Sequence, residues 1–192
     1  DGKLCAGICI CDPIREEAPE IVKGLRALGI SKICMMTGDS EKTAAAVAAQ
    51  LELDEYHAEV LPGTKAEFVR KEHEAGRKVI MIGDGVNDTP ALSEADVGIA
   101  ISDGAAIARE VADVTLSAEN LRELVFLRAL SMALMRRIHS NYNFIIGFNA
   151  LLIALGVGGM LPPATSALLH NGSTLVTGLK SMTNLLEEEK SA

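Results

Sequence analysis

The sequence predicts an α/β fold, a parallel sheet covered by helices, followed by a two-helix transmembrane hairpin. Three observations lead there. Through residues 1–118 short apolar runs alternate with helical patterns of about ten residues, as in strand–helix–strand units whose parallel strands are buried on both faces. Polar clusters at Asp12, at Thr37-Gly38-Asp39 and from Gly83 to Asp88 each follow a strand, at the edge where open parallel sheets bind ligands. Charge then runs out: from His139 to Leu186 only Lys180 is formally charged.

The elements follow in order. Leu4–Cys11 is apolar on both faces and stops at Asp12-Pro13, so it reads as a buried strand. Glu17–Leu28 carries Ile21, Val22, Leu25 and Leu28 at helical spacing, with Gly29 as a stop. Ile33–Met36 is a strand, and Ser40 caps a helix that runs to Leu51. Tyr56–Val60 reads as a strand, Thr64–Ala75 as a helix and Val79–Ile82 as a strand. A short helix spans Thr89–Ala95, Val97–Ile101 is a strand, Ala105–Val111 a helix and Val114–Leu116 the last strand. From Glu119 a helical pattern through Leu121, Leu124, Val125, Leu130 and Leu134 reaches Arg136-Arg137. Phe144–Leu161 and Thr165–Leu186 are then two stretches long enough to cross roughly 30 Å of hydrocarbon, with Gly158-Gly159 and Pro162-Pro163 between them. Arg136 and Arg137 flank one end, and Lys180 and Lys190 the other, so both ends face the cytoplasm.

Composition narrows the function. With 48% hydrophobic residues the 192-residue chain is not disordered, and a net charge of −8 leaves no basic footprint for nucleic acid. Residues 1–138 hold 16 Lys/Arg against 23 Asp/Glu, an ordinary acidic soluble composition. The four cysteines, Cys5, Cys9, Cys11 and Cys34, fall in apolar runs and read as small buried hydrophobes in a reducing compartment; Cys5, Cys9 and Cys11 match no common zinc spacing. The chain starts at Asp1 without a methionine or a targeting segment, which reads as a piece of a longer protein.

Three short motifs carry chemistry. Thr37-Gly38-Asp39 reads either as a plain strand-to-helix turn or as a phosphate loop in which Thr37 offers a hydroxyl and Gly38 a backbone amide to a phosphate oxygen. Lys65, in Leu61-Pro62-Gly63-Thr64-Lys65, neutralises phosphate charge if it reaches the same sheet edge; otherwise it is a solvated helix-start lysine. Asp84 and Asp88 lie four residues apart on a glycine-rich turn and can aim oxygens at one hard cation. Mg2+ takes one or two carboxylates plus water and phosphate oxygens.

The string Gly83-Asp84-Gly85-Val86-Asn87-Asp88-Thr89-Pro90-Ala91-Leu92 resembles the hinge motif of P-type ATPases. Thr37-Gly38-Asp39, the element from Pro62 to Lys65 and Asp12-Pro13-Ile14-Arg15 are similar to their other phosphorylation-domain motifs, in the same order. The resemblance covers essentially the whole chain and implies a Rossmann-like, haloacid-dehalogenase-like sheet. It also implies that Asp84, Asn87 and Asp88 bind the Mg2+ cofactor, that Thr37, Gly38 and Lys65 contact an aspartyl phosphate, and that Asp39 positions the adjacent loop. ATP is the implied substrate, held mainly by a nucleotide-binding domain outside this sequence. The family's Asp-Lys-Thr-Gly-Thr motif, which carries the phosphorylated aspartate, does not occur here.

Two closing spans resemble the heavy-metal (type IB) branch. Asn141 and Phe148-Asn149 are similar to that branch's Asn…Tyr-Asn pattern, with Phe in place of Tyr. Leu169-His170-Asn171-Gly172-Ser173-Thr174 resembles its last-helix element. The branch implies a transported transition-metal ion at His170, Asn171 and Asn149. Asn171 is neutral where zinc and cobalt branches carry an acid, and the set looks closer to a manganese- or iron-related group. An imidazole with amide and hydroxyl oxygens suits a borderline divalent ion, and no membrane cysteine favours Cu(I). Interhelical hydrogen bonding remains the alternative role for His170 and Asn171. The expected organisation is 1–118, the C-terminal portion of a phosphorylation domain; 119–138, a stalk helix; 139–186, the hairpin; and 187–192, a cytoplasmic tail. The expectation is the C-terminal part of an integral cell-membrane pump exporting a divalent metal, with lipid and the rest of the pump as partners. A non-catalytic membrane module binding Mg2+ or phosphate, or a membrane-anchored phosphatase of the same fold, stays open.

Overall fold

Proline and one hydroxyl decide where the helices of the first unit begin. The computed structural model describes residues 13–84, 86–101, 110–117 and 120–186. Helix α1 (Ala18–Ala27) has a proline in its first turn, α3 (Pro62–Glu74) opens on one, and α4 (Thr89–Glu94) carries Pro90, where the missing N–H costs nothing. Helix α2 (Glu41–Gln50) is capped by Ser40, whose Oγ accepts from the Thr43 amide at 3.5 Å.

The strands are short and pair in parallel. β1 (Cys34–Met36) lies beside β2 (Glu55–His57), with Cys34 opposite Glu55 and Met36 opposite His57. β3 (Ile80–Gly83), β4 (Val97–Ile101) and β5 (Val114–Leu116) form a second group in that order. Parallel neighbours need crossovers; α2 supplies the one between β1 and β2, and α4 the one between β3 and β4. Ala66 and Val69 of α3, Met81 of β3, Ala91 and Leu92 of α4 and Ala100 of β4 make the core, and Met36 at the end of β1 packs against it. A Cβ on Gly98 would stand 2.7 Å from the Leu92 carbonyl oxygen, so glycine is what lets α4 lie this close to β4.

Several boundaries differ from the sequence expectation. The strand expected at Tyr56–Val60 ends at His57, because Glu59 adopts φ 52° and breaks the extended run. The helix expected from Thr64 begins two residues earlier, because Pro62 with its fixed φ occupies the first helical position. The stalk helix expected from Glu119 starts at Glu123. Asn120 to Val125 first turn through i to i+3 bonds (Glu123 to Asn120, Leu124 to Leu121, Val125 to Arg122). The Leu4–Cys11 strand with Asp12, Gly85, most of the Ala105–Val111 helix and the tail 187–192 lie outside the described residues.

The chain divides into two compact units, Asp1–Val125 and Phe126–Ala192. Helix α5 (Glu123–Val157) runs without a break, so the expected stalk and the apolar stretch after it are one 35-residue helix. It is long and apolar enough to cross a membrane. After Gly159 (φ 71°) and Pro162, α6 (Pro163–Ser181) returns. It stops five residues short of the expected Leu186 and, with His170, Asn171, Ser173, Thr174, Thr177 and Lys180, is less apolar than α5. Among the described residues α5 alone passes on length and apolarity. The two helices are joined by polar side chains. Asn141 Nδ2 donates to Ser181 Oγ at 2.8 Å, Lys180 Nζ donates to Ser140 Oγ at 3.2 Å, and Arg137 donates to the carbonyls of Ser181, Thr183 and Asn184.

Candidate functional site

The end of β3 is built around Asp88. From Gly83 the chain enters a 3-10 turn at Val86–Asp88 and then α4. Asp88 folds back over the strand end. Its Oδ2 accepts the Asp84 amide at 3.3 Å and its Oδ1 accepts Lys65 Nζ at 2.7 Å. Asp88 is 6% exposed, and a carboxylate tolerates that burial only when paired and hydrogen-bonded. A Cβ on Gly83 would lie 2.6 Å from the Cβ of Asp88, so glycine is required beneath it. Lys65 reaches the turn because Pro62 fixes the start of α3. The Asp84 carboxylate and the Asn87 amide are exposed and make no side-chain hydrogen bond among the described residues.

The end of β1 is a second polar loop. Thr37 Oγ1 donates to Asp39 Oδ2 at 2.9 Å and accepts the Asp39 amide at 3.1 Å, a closed turn that fixes both side chains. The Thr37 amide donates to the His57 carbonyl at 3.0 Å. The Val60 amide donates to the Thr37 carbonyl at 2.9 Å, and the Glu59 amide to the Asp39 carbonyl at 2.9 Å. The loop is thereby tied to the segment that enters α3, and α3 carries Lys65. A Cβ on Gly38 would meet nothing within 4 Å, so the space over the loop is open.

The donor chemistry fits Mg2+. Two carboxylates on one turn are hard oxygen donors: Asp88 is oriented by Lys65 and the Asp84 amide, and the Asp84 carboxylate has no partner among the described residues. Next to them the Thr89 Oγ1 is buried with no partner among the described residues, a hydroxyl that the sequence motifs do not single out. Its place directly after Asp88 was the only signal in the sequence.

In the second unit His170 Nδ1 and Asn149 Oδ1 are 2.8 Å apart, so the structure brings together two of the three residues expected at an ion site. Asn171 makes no side-chain hydrogen bond among the described residues. Ser173 Oγ and Thr174 Oγ1 both donate to the His170 carbonyl, at 2.7 and 3.1 Å.

Residues 1–96 match the family model for haloacid dehalogenase-like hydrolases. The chain belongs to that family. Its relatives are heavy-metal P-type ATPases. It is 46% identical over 162 residues to a copper-transporting ATPase 1 of Rhizobium meliloti (strain 1021), covering 84% of this chain and 20% of that protein. It is 43% identical over 176 residues to a manganese-exporting P-type ATPase of Mycobacterium leprae (strain TN), covering 91% and 24%. Among solved structures it is similar to a zinc-transporting PIB-type ATPase in its E2.Pi state, with TM-score 0.83, 32% identity and coverage of 92% of this chain and 28% of that one. The chain thus spans about a quarter or less of the length of these curated relatives.

Proposed function

We propose that this chain supplies the C-terminal portion of the phosphorylation domain and the closing membrane helices of an ATP-driven pump that exports a divalent transition-metal cation. The observation that carries the reading is the Lys65–Asp88 pair held over Gly83 at the end of a parallel strand, in a chain homologous to cation-translocating ATP hydrolases. Lys65 brings an ammonium, Thr37 a hydroxyl and Gly38 an amide to an aspartyl phosphate whose aspartate belongs to the rest of the pump. Asp39 holds Thr37 in place. Mg2+ at Asp84 and Asp88 would offset charge on the phosphoryl oxygens. When the phosphate departs, Lys65 has Asp88 as its resting partner, so neither charge is left buried alone.

Helices α5 and α6 act as a transmembrane hairpin with both ends in the cytoplasm, supported by the length of α5, the absence of formal charge from His139 to Leu179 and the Arg136-Arg137 pair. His170, Asn149 and Asn171 contact the exported ion. The pairing of His170 with Asn149 supports this, and so does the nitrogen and oxygen chemistry of the set, which favours a borderline divalent ion over Cu(I).

The test uses the full-length protein in liposomes. Mn2+ or Zn2+ is expected to stimulate ATP hydrolysis, and Asp84→Asn to lower the maximal rate about 100- to 1,000-fold. Hydrolysis indifferent to both metals, or undiminished in Asp84→Asn, would overturn the reading. For the hairpin, a cysteine introduced as Met160→Cys should react with an impermeant reagent only from the side opposite the first unit.

A further inference from the structure

On one face of the β1–β2 pair, three different metal-ligand types come together. Because Cys34 pairs in register with Glu55 and Met36 with His57, the alternation of strand side chains puts Cys34, Glu55 and His57 on one face. Their ligand atoms, one thiol sulfur, one carboxylate oxygen and one ring nitrogen, all lie within 4.8 Å of one another. We propose that Cys34, Glu55 and His57 form a cation site for a borderline divalent transition metal such as Zn2+, separate from the Mg2+ site and from the membrane helices.

The ligands are already oriented. His57 Nε2 faces Glu55 Oε1 at 2.9 Å, and its ring stands edge-on to Phe68 with centroids 4.9 Å apart, which fixes the ring plane. The other carboxylate oxygen of Glu55 is engaged by Lys32, which also reaches Glu72 Oε1 at 3.2 Å, and Glu72 is in turn paired with Arg77. One Glu55 oxygen is thus tethered and the other is turned toward His57, an arrangement of outer partners typical of built metal sites. Three protein ligands of mixed sulfur, nitrogen and oxygen character leave a fourth position for water, the coordination that Zn2+ takes at open sites. Burial and the Glu55 carboxylate push the Cys34 thiol up to about 11, so it stays protonated in the absence of metal. Binding then forms a metal–sulfur bond and releases that proton to solvent, and affinity rises with pH. The groups facing the thiol that set this dependence are Glu55, Lys32 and Glu72. A metal here would pin β1 to β2, and the His57 carbonyl that holds the Thr37 amide belongs to the same pair of strands.

Co2+ serves as the probe, added to the whole chain purified in detergent with a thiol-free reductant. Thiolate coordination produces a near-ultraviolet charge-transfer band that the His170 region, which holds no cysteine, cannot produce. The band should be saturable, be bleached by Zn2+, disappear in Cys34→Ser and persist in a chain carrying Cys5→Ser, Cys9→Ser and Cys11→Ser. His57→Phe keeps an aromatic ring against Phe68 and should weaken Co2+ binding at least about 10-fold with unchanged far-ultraviolet circular dichroism. Absence of the band, its survival in Cys34→Ser, its loss in the triple variant, or undiminished affinity in His57→Phe would each overturn the proposal.

Discussion

In the first unit Val69, Ala91 and Leu92 are at most 1% exposed, whereas in the second Leu168, Leu175 and Val176 are 72%, 66% and 60% exposed. The polar groups are arranged the other way round. The first unit carries ion pairs such as Arg26–Asp54 and Lys78–Asp96 at its surface. In the second, Asn141, Asn149, His170 and Ser181 pair between the two helices. A water-surrounded unit gains stability from apolar burial; under the proposed hairpin reading the second unit would gain none from exchanging lipid contact for Leu contact, and packing and interhelical hydrogen bonds would hold it together.

The sharpest way to break this contrast is truncation on each side. Leu92→Ala should cost the first unit about 3 kcal/mol in urea unfolding, since the vacated volume lies against α3 and β4. Leu168→Ala should change the stability of the detergent-solubilised chain by less than about 0.5 kcal/mol. A comparable loss at both positions would mean that α6 is packed as in a soluble core.

A smaller effect is expected for the polar contacts of the second unit. A double-mutant cycle on Asn141→Ala and Ser181→Ala should return a coupling of about 0.6 kcal/mol. Zero coupling would remove the interhelical bond from the account.

The smallest effect is a pH dependence confined to the first unit. The Lys78 ammonium, then the Val79 amide and His73, hold the Asp96 carboxyl well below the usual carboxylate range. The folded carboxyl gives up its proton more readily than the unfolded one. Its contribution is therefore present above the ordinary Asp value of about 3.9 and lost as pH falls below it toward the lower folded value. Urea midpoints should fall with acidification through that window, and Asp96→Asn should flatten the fall. An unchanged slope would exclude the carboxylate as its source.

The two units differ in legibility too. Strands β1, β3, β4 and β5 and helices α1, α2 and α4 could be read from the sequence because a buried parallel strand is a short apolar run and a Ser or Pro marks the helix start. The end of β2 could not, because Glu59 takes a left-handed conformation that an ordinary glutamate does not announce. Asp84, Asp88 and Lys65 are visible as motifs, but the pairing of Lys65 with Asp88 spans 23 residues and appears only once α3 packs against α4 and the turn at Val86–Asp88. Cys34 looked like a small hydrophobe for the same reason: Glu55 and His57 reach it through strand register. In the second unit absence of charge announced α5, and the polar content of α6 made its apolarity less than the sequence reading supposed.

Under the proposed function the two units carry separate halves of one coupled reaction, phosphoryl chemistry around Asp88 and ion binding around His170. The most direct test is metal-stimulated ATP hydrolysis by the full-length protein, titrated with Mn2+ or Zn2+ in Asp88→Asn and in His170→Ala. Asp88→Asn should lower the maximal rate about 100- to 1,000-fold at every metal concentration without moving the half-saturation point. His170→Ala should raise the half-saturating metal concentration at least about 10-fold. Unchanged metal dependence in His170→Ala, or an undiminished rate in Asp88→Asn, would contradict the account.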